Sequence, residues 1–336
     1  MIRIDSVSGN EQHLADRVEA TLAQAAHLEC VRHGNTVAAR TNLGRDTRVI
    51  VAGHLDTVPL TGAPEPGIAH GVLSGRGSVD MKAGLASQLI HAVTLEAPAV
   101  DVTWMFYDQE EVEASRNGLG HFATAHPDWM SADAAVLGEP SQGGVEGGCN
   151  GTMRIEIHTH GVAAHSARPW RGDNAIHHLA PVLATLAGFE PETRVVEGLA
   201  YRESLNAVGV SGGVAGNVIP DHAVLTVNFR FAPDRSEQDA EGYLREVFAG
   251  EEIVVVDSSP GARPGLDVPI MQALVEATGR EVGPKYGWTD VARFSALGIP
   301  AVNFGPGDGG LAHSDSESVE VSEIEHCHRV LGAWLA

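Results

Sequence analysis

Cysteine is scarce in this 336-residue chain: Cys30, Cys149 and Cys327 are the three, too far apart for a CxxC zinc knuckle and unlike a secreted disulfide framework. A reducing cytoplasm is the expected setting. Positive charge is scarce as well, with 22 Lys plus Arg against 44 Asp plus Glu and a formal net charge of -22. Such a surface repels nucleic-acid phosphates and anionic lipid heads, so neither nucleic acid nor membrane is an expected partner. No run of about 18 apolar residues occurs, and the first residues lack the basic and apolar segments of an export signal. There is no GxxxxGK[ST] loop for nucleotide phosphates, and Gly75-Arg76-Gly77 lacks the third glycine of a dinucleotide fingerprint. Residues 209–213 (GVSGG) match the G-x-S-x-G pattern of a serine nucleophile, yet a glycine-containing stretch ending at Pro220 follows where an elbow needs a helix.

What is present is a globular composition, 43% hydrophobic, enough to fill one large or two ordinary domains. Ser8 and Glu11 have the spacing of a capping box that opens an amphipathic helix reaching about Leu22. Residues 48–53, 101–107, 132–137 and 299–304 are short apolar runs that predict buried strands, and Lys82 to about Leu95 predicts a helix. Strands alternating with helices predict an α/β domain whose mostly parallel sheet is covered on both faces. The middle of the chain differs, since 152–160 and 223–231 alternate apolar with polar residues and predict a smaller antiparallel unit. Glycine-rich stretches at 143–148 and 260–265 bracket it as hinges. The expected organisation is an inserted domain, 149–262, within a discontinuous α/β domain of 1–148 and 263–336.

Ligands of open α/β sheets bind outside the carboxyl ends of the strands. Behind the predicted strands stand His54-Leu55-Asp56, Asp108 to Glu111, Gly138-Glu139, and a glycine-rich loop ending in His313, with Asp80 just ahead of a helix. Two histidines and several carboxylates at one sheet edge are what a pair of zinc ions needs, one carboxylate bridging and each metal keeping room for water or substrate. Each residue alone has a blander explanation: a hydrogen-bonded structural histidine, a helix-capping Asp80, or an ordinary acidic pair such as Glu251-Glu252. Their joint placement favours the metal site.

Residues 53–59 (GHLDTVP), 75–82 (GRGSVDMK), 108–111 (DQEE), 138–140 (GEP) and the late His313 resemble the M20 metallopeptidase family in residue type, order and approximate spacing. Residues 161–169 (GVAAHSARP) resemble the histidine motif of that family's dimerisation domain. The resemblance runs essentially end to end and implies a zinc-exopeptidase-like catalytic domain with an inserted α+β dimerisation, or lid, domain. It implies a zinc-dependent amidohydrolase holding two zinc ions per subunit, with cobalt as a substitute metal. Carried over residue by residue, it makes Asp80 the bridging carboxylate, puts His54 and Glu139 on one zinc, and puts Glu111 and His313 on the other. Asp56 would then accept the free imidazole N–H of His54, and Glu110 would be the general base toward the attacking water. His165, reaching in from a partner subunit, would stabilise the tetrahedral oxyanion, which implies a homodimer through the inserted domain and closure of that domain during catalysis.

Within the family the chain most resembles the desuccinylase branch, which hydrolyses N-succinyl-LL-2,6-diaminopimelate in lysine and diaminopimelate biosynthesis. Residues 216–221 (GNVIPD), 228–234 (NFRFAPD), 286–294 (YGWTDVARF) and 303–307 (NFGPG) carry this likeness. Acetylornithine deacetylases, dipeptidases and carboxypeptidases share the metal ligands. A metal-stabilised amino-acid-binding protein without chemistry is the alternative of another class, and Glu110 beside a ligand argues against it. A substrate with three carboxylates calls for arginines in so acidic a protein, and Arg168, Arg230 and Arg293 are the candidates. Asn217, Gly287 and Thr289 resemble substrate-contacting positions. Two departures stand out. Residues 149–152 (CNGT) replace an arginine-rich stretch of the better-known desuccinylases, so either another arginine substitutes or the acyl group differs. Trp288 stands in a loop usually built from small residues, where it either narrows the pocket or packs beneath it.

Overall fold

Buried apolar strands alternating with amphipathic helices build the larger of two compact units, Met1–Gly148 with Pro264–Gly283 and Asp290–Ala336. The smaller unit is Cys149–Arg263 with Pro284–Thr289. The computed structural model describes residues 1–336.

At the centre of the larger unit's eight-stranded sheet, strands Asp101–Tyr107, Arg48–His54, Ala134–Leu137 and Ala301–Asn303 lie side by side and parallel. They are near-continuous apolar runs because helices cover both faces. An antiparallel hairpin, Glu29–His33 and Thr36–Arg40, extends the Asp101–Tyr107 edge. Helices Gln12–Leu22, Lys82–Thr94, Pro269–Thr278 and Val321–Leu335 pack Leu14, Leu85, Leu274 and Trp334 against Val51, Trp104 and Val136. No helix is long and apolar enough to cross a membrane.

The first helix forms, but the expected capping box does not. Ser8 Oγ donates instead to Asp56 Oδ2 at 2.7 Å, and the Glu11 carboxylate accepts from the Gly9 amide at 2.6 Å. A bond to a buried carboxylate is charge-assisted and outcompetes a cap on an exposed first turn.

A buried acid pins the start of the Asp101–Tyr107 strand. Asp101 accepts from Thr41 Oγ1 at 2.8 Å and from the amides of Leu43 and Arg45 at 2.8 and 2.9 Å. Burial opposes its ionisation, but the two amides, Thr41 and Arg48 outweigh it and hold the carboxyl below its usual value. A depressed folded-state value means stability that is present above the unfolded value near 3.9 and is lost as the pH falls through the lower folded one. Asp101→Asn is therefore expected to cost about 1–3 kcal/mol at neutral pH and to flatten the acid limb of a stability-versus-pH curve measured by denaturant unfolding.

In the smaller unit a four-stranded antiparallel sheet runs in the order Ser204–Gly212, His222–Phe231, Gly151–His160, Glu252–Ser259. Burial alternates strictly along Gly151–His160 and His222–Phe231. The buried face meets helices Ala180–Ala187 and Glu237–Val247 in a second core that includes Ile155, Val182, Phe229, Phe231 and Leu244. Ser211 lies opposite Val224 within an exposed antiparallel strand, with no helix after it, so there is no nucleophile elbow. Pro284–Thr289 lies in this unit although the glycine-rich stretches bracket only 149–262: Asn150 N donates to Lys285 O at 3.1 Å and Trp288 Nε1 to Pro260 O at 3.1 Å. Trp288 is thereby tied down along its own unit.

Candidate metal centre

Every candidate ligand of the larger unit sits on a loop or strand end at the carboxyl edge of the parallel strands. His54 ends its strand fully buried, and Glu110 and Glu111 follow the strand Asp101–Tyr107. Glu139 follows Ala134–Leu137, and the loop after Ala301–Asn303 leads to His313. Close backbone approach makes this possible: a Cβ at Gly84 or at Gly305 would strike the Gly138 carbonyl, at 2.5 and 2.2 Å, so the loop carrying Glu139 can lie directly on the helix Lys82–Thr94.

Asp80 joins two groups of donors. Its Oδ1 is 2.9 Å from His54 Nε2, which lies 3.8 Å from Glu139 Oε1. Its Oδ2 is 3.3 Å from His313 Nε2, which lies 2.8 Å from Glu111 Oε1. The donor atoms of His54, Asp80 and Glu139 all fall within 4.8 Å of one another, as do those of Asp80, Glu111 and His313, and a third grouping joins Glu110 to His54 and Glu111. Imidazole and carboxylate donors in threes, with one carboxylate shared, fit a pair of borderline divalent cations that each keep an open position.

The charges point the same way. Burial depresses His54, but the carboxylates of Asp56 and Asp80 outweigh it and hold the imidazole well above its usual value. Hydrogen bonds to Asp80 and Glu111 push His313 up to about 10. Asp80 is held far below the usual carboxylate range, because both histidines overcome its burial. Glu110 goes the other way: burial raises it well above normal, with His54 opposing and Asp290, Glu139 and Glu111 adding to the rise. Five carboxylates, Asp56, Asp80, Glu110, Glu111 and Glu139, surround two imidazoles, a donor set that suits added cations.

Asp56 does more than face His54. The imidazole Nδ1 is 3.0 Å from the Asp56 backbone carbonyl and 3.5 Å from its carboxylate. The carboxylate accepts from the amides of Glu110 and Glu111, both at 3.0 Å, and from Ser8. It therefore sets the backbone of the acidic pair. Gln109 before that pair and His313 both have left-handed backbone, φ 57° and 64°, a strain that non-glycine residues carry where surrounding contacts enforce it.

Nothing in the sequence pattern singles out Glu317. It is fully buried, and its Oε1 accepts from the amides of Gly77, Val79 and Asp80 at 2.8, 3.1 and 3.3 Å. Its Oε2 accepts from Arg76 Nη1 at 2.7 Å. One carboxylate thus holds the segment that presents Asp80. Glu317→Ala leaves buried Arg76 unpaired and is expected to lower stability by about 3–5 kcal/mol, read from the denaturant midpoint.

The remaining expected residues, Arg293 apart, lie in the smaller unit. His165 is exposed, its Nδ1 accepting from Ala167 N at 3.1 Å, and the Ala164–His165 segment pairs with Val218–Ile219. Asn217, whose carbonyl accepts from Ser166 N at 2.9 Å, is exposed there, as is Arg168. Arg230 is half-buried on the open face of the sheet, Gly287 is exposed and Thr289 buried. Arg293, in the larger unit, donates through Nε to buried Asp290 at 2.5 Å, and Asp290 also accepts from Asn117.

Comparison with known proteins places these features in context. The sequence profile of peptidase family M20/M25/M40 matches residues 50–336. A Mycobacterium tuberculosis protein provisionally named succinyl-diaminopimelate desuccinylase is 52% identical over 338 residues, covering 100% of this chain and 96% of the relative. The succinyl-diaminopimelate desuccinylase of Corynebacterium glutamicum is 44% identical over 347 residues, covering 100% and 94%. The crystal structure of a Bacillus subtilis protein described as a dinuclear metal-binding peptidase from the M20 family superposes with a TM-score of 0.75 at 16% identity, covering 99% of this chain and 94% of the other, and so shares the fold.

Proposed function

The chain belongs to peptidase family M20/M25/M40, and we propose that it is a cytoplasmic two-zinc amidohydrolase that converts N-succinyl-LL-2,6-diaminopimelate to succinate and LL-diaminopimelate. The observation that carries the chemistry is the Asp80 carboxylate set between His54 and His313, with Glu110 beside them. Full-length identity to the two desuccinylase relatives supports the substrate.

His54, Asp80 and Glu139 would hold one zinc and Asp80, Glu111 and His313 the other, while Asp56 orients both His54 and the acidic pair. When bound, the metals would supply Lewis acidity toward the amide carbonyl and lower the pKa of water. Glu110 takes the proton of the attacking water on its carboxylate and returns it to the departing amine nitrogen, so that succinate and the free amine leave together. His165 of a second copy donates to the oxyanion of the tetrahedral intermediate. The exposed edge strand Ser204–Gly212, with Val208 and Val210 59% and 67% exposed, supports a homodimer through the smaller unit, and light scattering is expected to give the mass of two chains.

Zinc-loaded protein is expected to hydrolyse N-succinyl-LL-diaminopimelate in preference to N-acetylornithine, and a chelator to abolish the rate. Preference for acetylornithine would retain the metal chemistry and overturn the substrate.

A further inference from the structure

Arginines of the smaller unit divide into two groups. Arg154, Arg194, Arg235, Arg245 and Arg263 each pair with an acid: Asp257, Asp234, Glu203, Glu241 and Glu197 respectively. Arg168, Arg171, Arg202 and Arg230 have no acidic partner, and of these Arg202 and Arg230 line one concavity of about 320 Å³ together with Asn150, Ser204 and Tyr286. In a protein of net charge -22, two unpaired guanidinium groups in one small cleft are conspicuous. Arg230 is also half-buried, where an unpaired charge is costly unless a ligand completes it. The one carboxylate in the lining, Glu203, is 1% exposed and engaged by Arg235 and the Ala232 amide, so it does not neutralise the cleft.

Asn150 is the second element of a built site. It is 1% exposed, and its Nδ2 donates to the Arg202 carbonyl at 3.0 Å. This asparagine belongs to the segment 149–152 that lacks arginines, and it is the residue that fastens Arg202 in place. Arginine's planar fork suits a carboxylate, which it grips through two parallel N–H bonds.

We propose that this cleft is a carboxylate-binding subsite and that Arg202 is its specificity-determining residue, supplying the guanidinium that segment 149–152 lacks. The inference rests on the amidohydrolase reading above, and its ligand is a carboxylate of the substrate, either that of the succinyl group or one of the diaminopimelate moiety.

The test compares full-length zinc-loaded wild type with Arg202→Ala and Arg202→Lys, whose side chain is exposed and free of partners, so that both variants fold. Arg202→Ala is expected to raise KM for N-succinyl-LL-diaminopimelate roughly 10- to 100-fold with kcat little changed, and Arg202→Lys to restore it only in part. Inhibition by the two products identifies the source: lost inhibition by succinate assigns the cleft to the succinyl carboxylate, lost inhibition by diaminopimelate to the amino-acid end. An unchanged KM with both inhibition constants unchanged overturns the subsite. If the wild type does not hydrolyse the succinyl compound, it is the substrate reading that fails. Calorimetric titration with succinate and with diaminopimelate then decides the subsite: binding to wild type that Arg202→Ala loses supports it, and equal or absent binding to both overturns it.

Discussion

Glu110→Gln is expected to lower the hydrolysis rate by about 10²–10⁴-fold while both zinc ions stay bound. The substitution keeps shape and polarity and removes only the ability to accept a proton. The backbone around it is independently fixed, because the Glu110 and Glu111 amides both donate to Asp56 at 3.0 Å, and neither bond involves the Glu110 side chain. Glu111, which faces His313 at 2.8 Å, also keeps its place. Steady-state kinetics beside zinc content by atomic absorption separates the roles. A slow enzyme with full zinc supports the base, a slow enzyme that has lost zinc makes Glu110 a ligand, and an unchanged rate removes it from the chemistry.

Asp80→Ala is expected to strike both metal positions at once. Its two oxygens face different histidines, at 2.9 and 3.3 Å, so a single truncation removes one donor from each group. Loss of a partner that merely orients a ligand costs about 10–100-fold in metal affinity, and loss of a shared direct ligand should cost at least about 100-fold at each position. The fold should survive, since the loop is held through the Asp80 amide by Glu317, a bond that alanine retains. Competition with a chromophoric zinc chelator measures this. Two zinc ions retained at wild-type affinity in Asp80→Ala would remove the bridge from the account.

The parallel core of the sheet was legible because strands covered on both faces must be apolar throughout, as Asp101–Tyr107 and Ala134–Leu137 are. The hairpin Glu29–His33 and Thr36–Arg40 was not foreseen, because its outer strand is largely exposed and carries no clear period. The ligand-type residues were legible from their position after predicted strands, a consequence of topology. What escaped was burial decided by tertiary contact. Glu317 stands among serines and aspartate and reads as surface, yet three amides and Arg76 converge on it. Arg293 reads as an isolated cation, yet its Nε is paired with buried Asp290. Arg202 gave no signal at all, since only the folded unit reveals which arginines lack an acid. The return of Pro284–Thr289 to the smaller unit was hidden for the same reason: its bonds to Cys149, Asn150 and Pro260 span more than twenty residues of chain.

Anomalous diffraction at the zinc edge from crystals of the zinc-loaded protein tests the central claim most directly. Two peaks about 3.5–4 Å apart are expected, with Asp80 between them, one beside His54 and Glu139 and the other beside Glu111 and His313. A single peak, or zinc bound only outside this cluster, would contradict it.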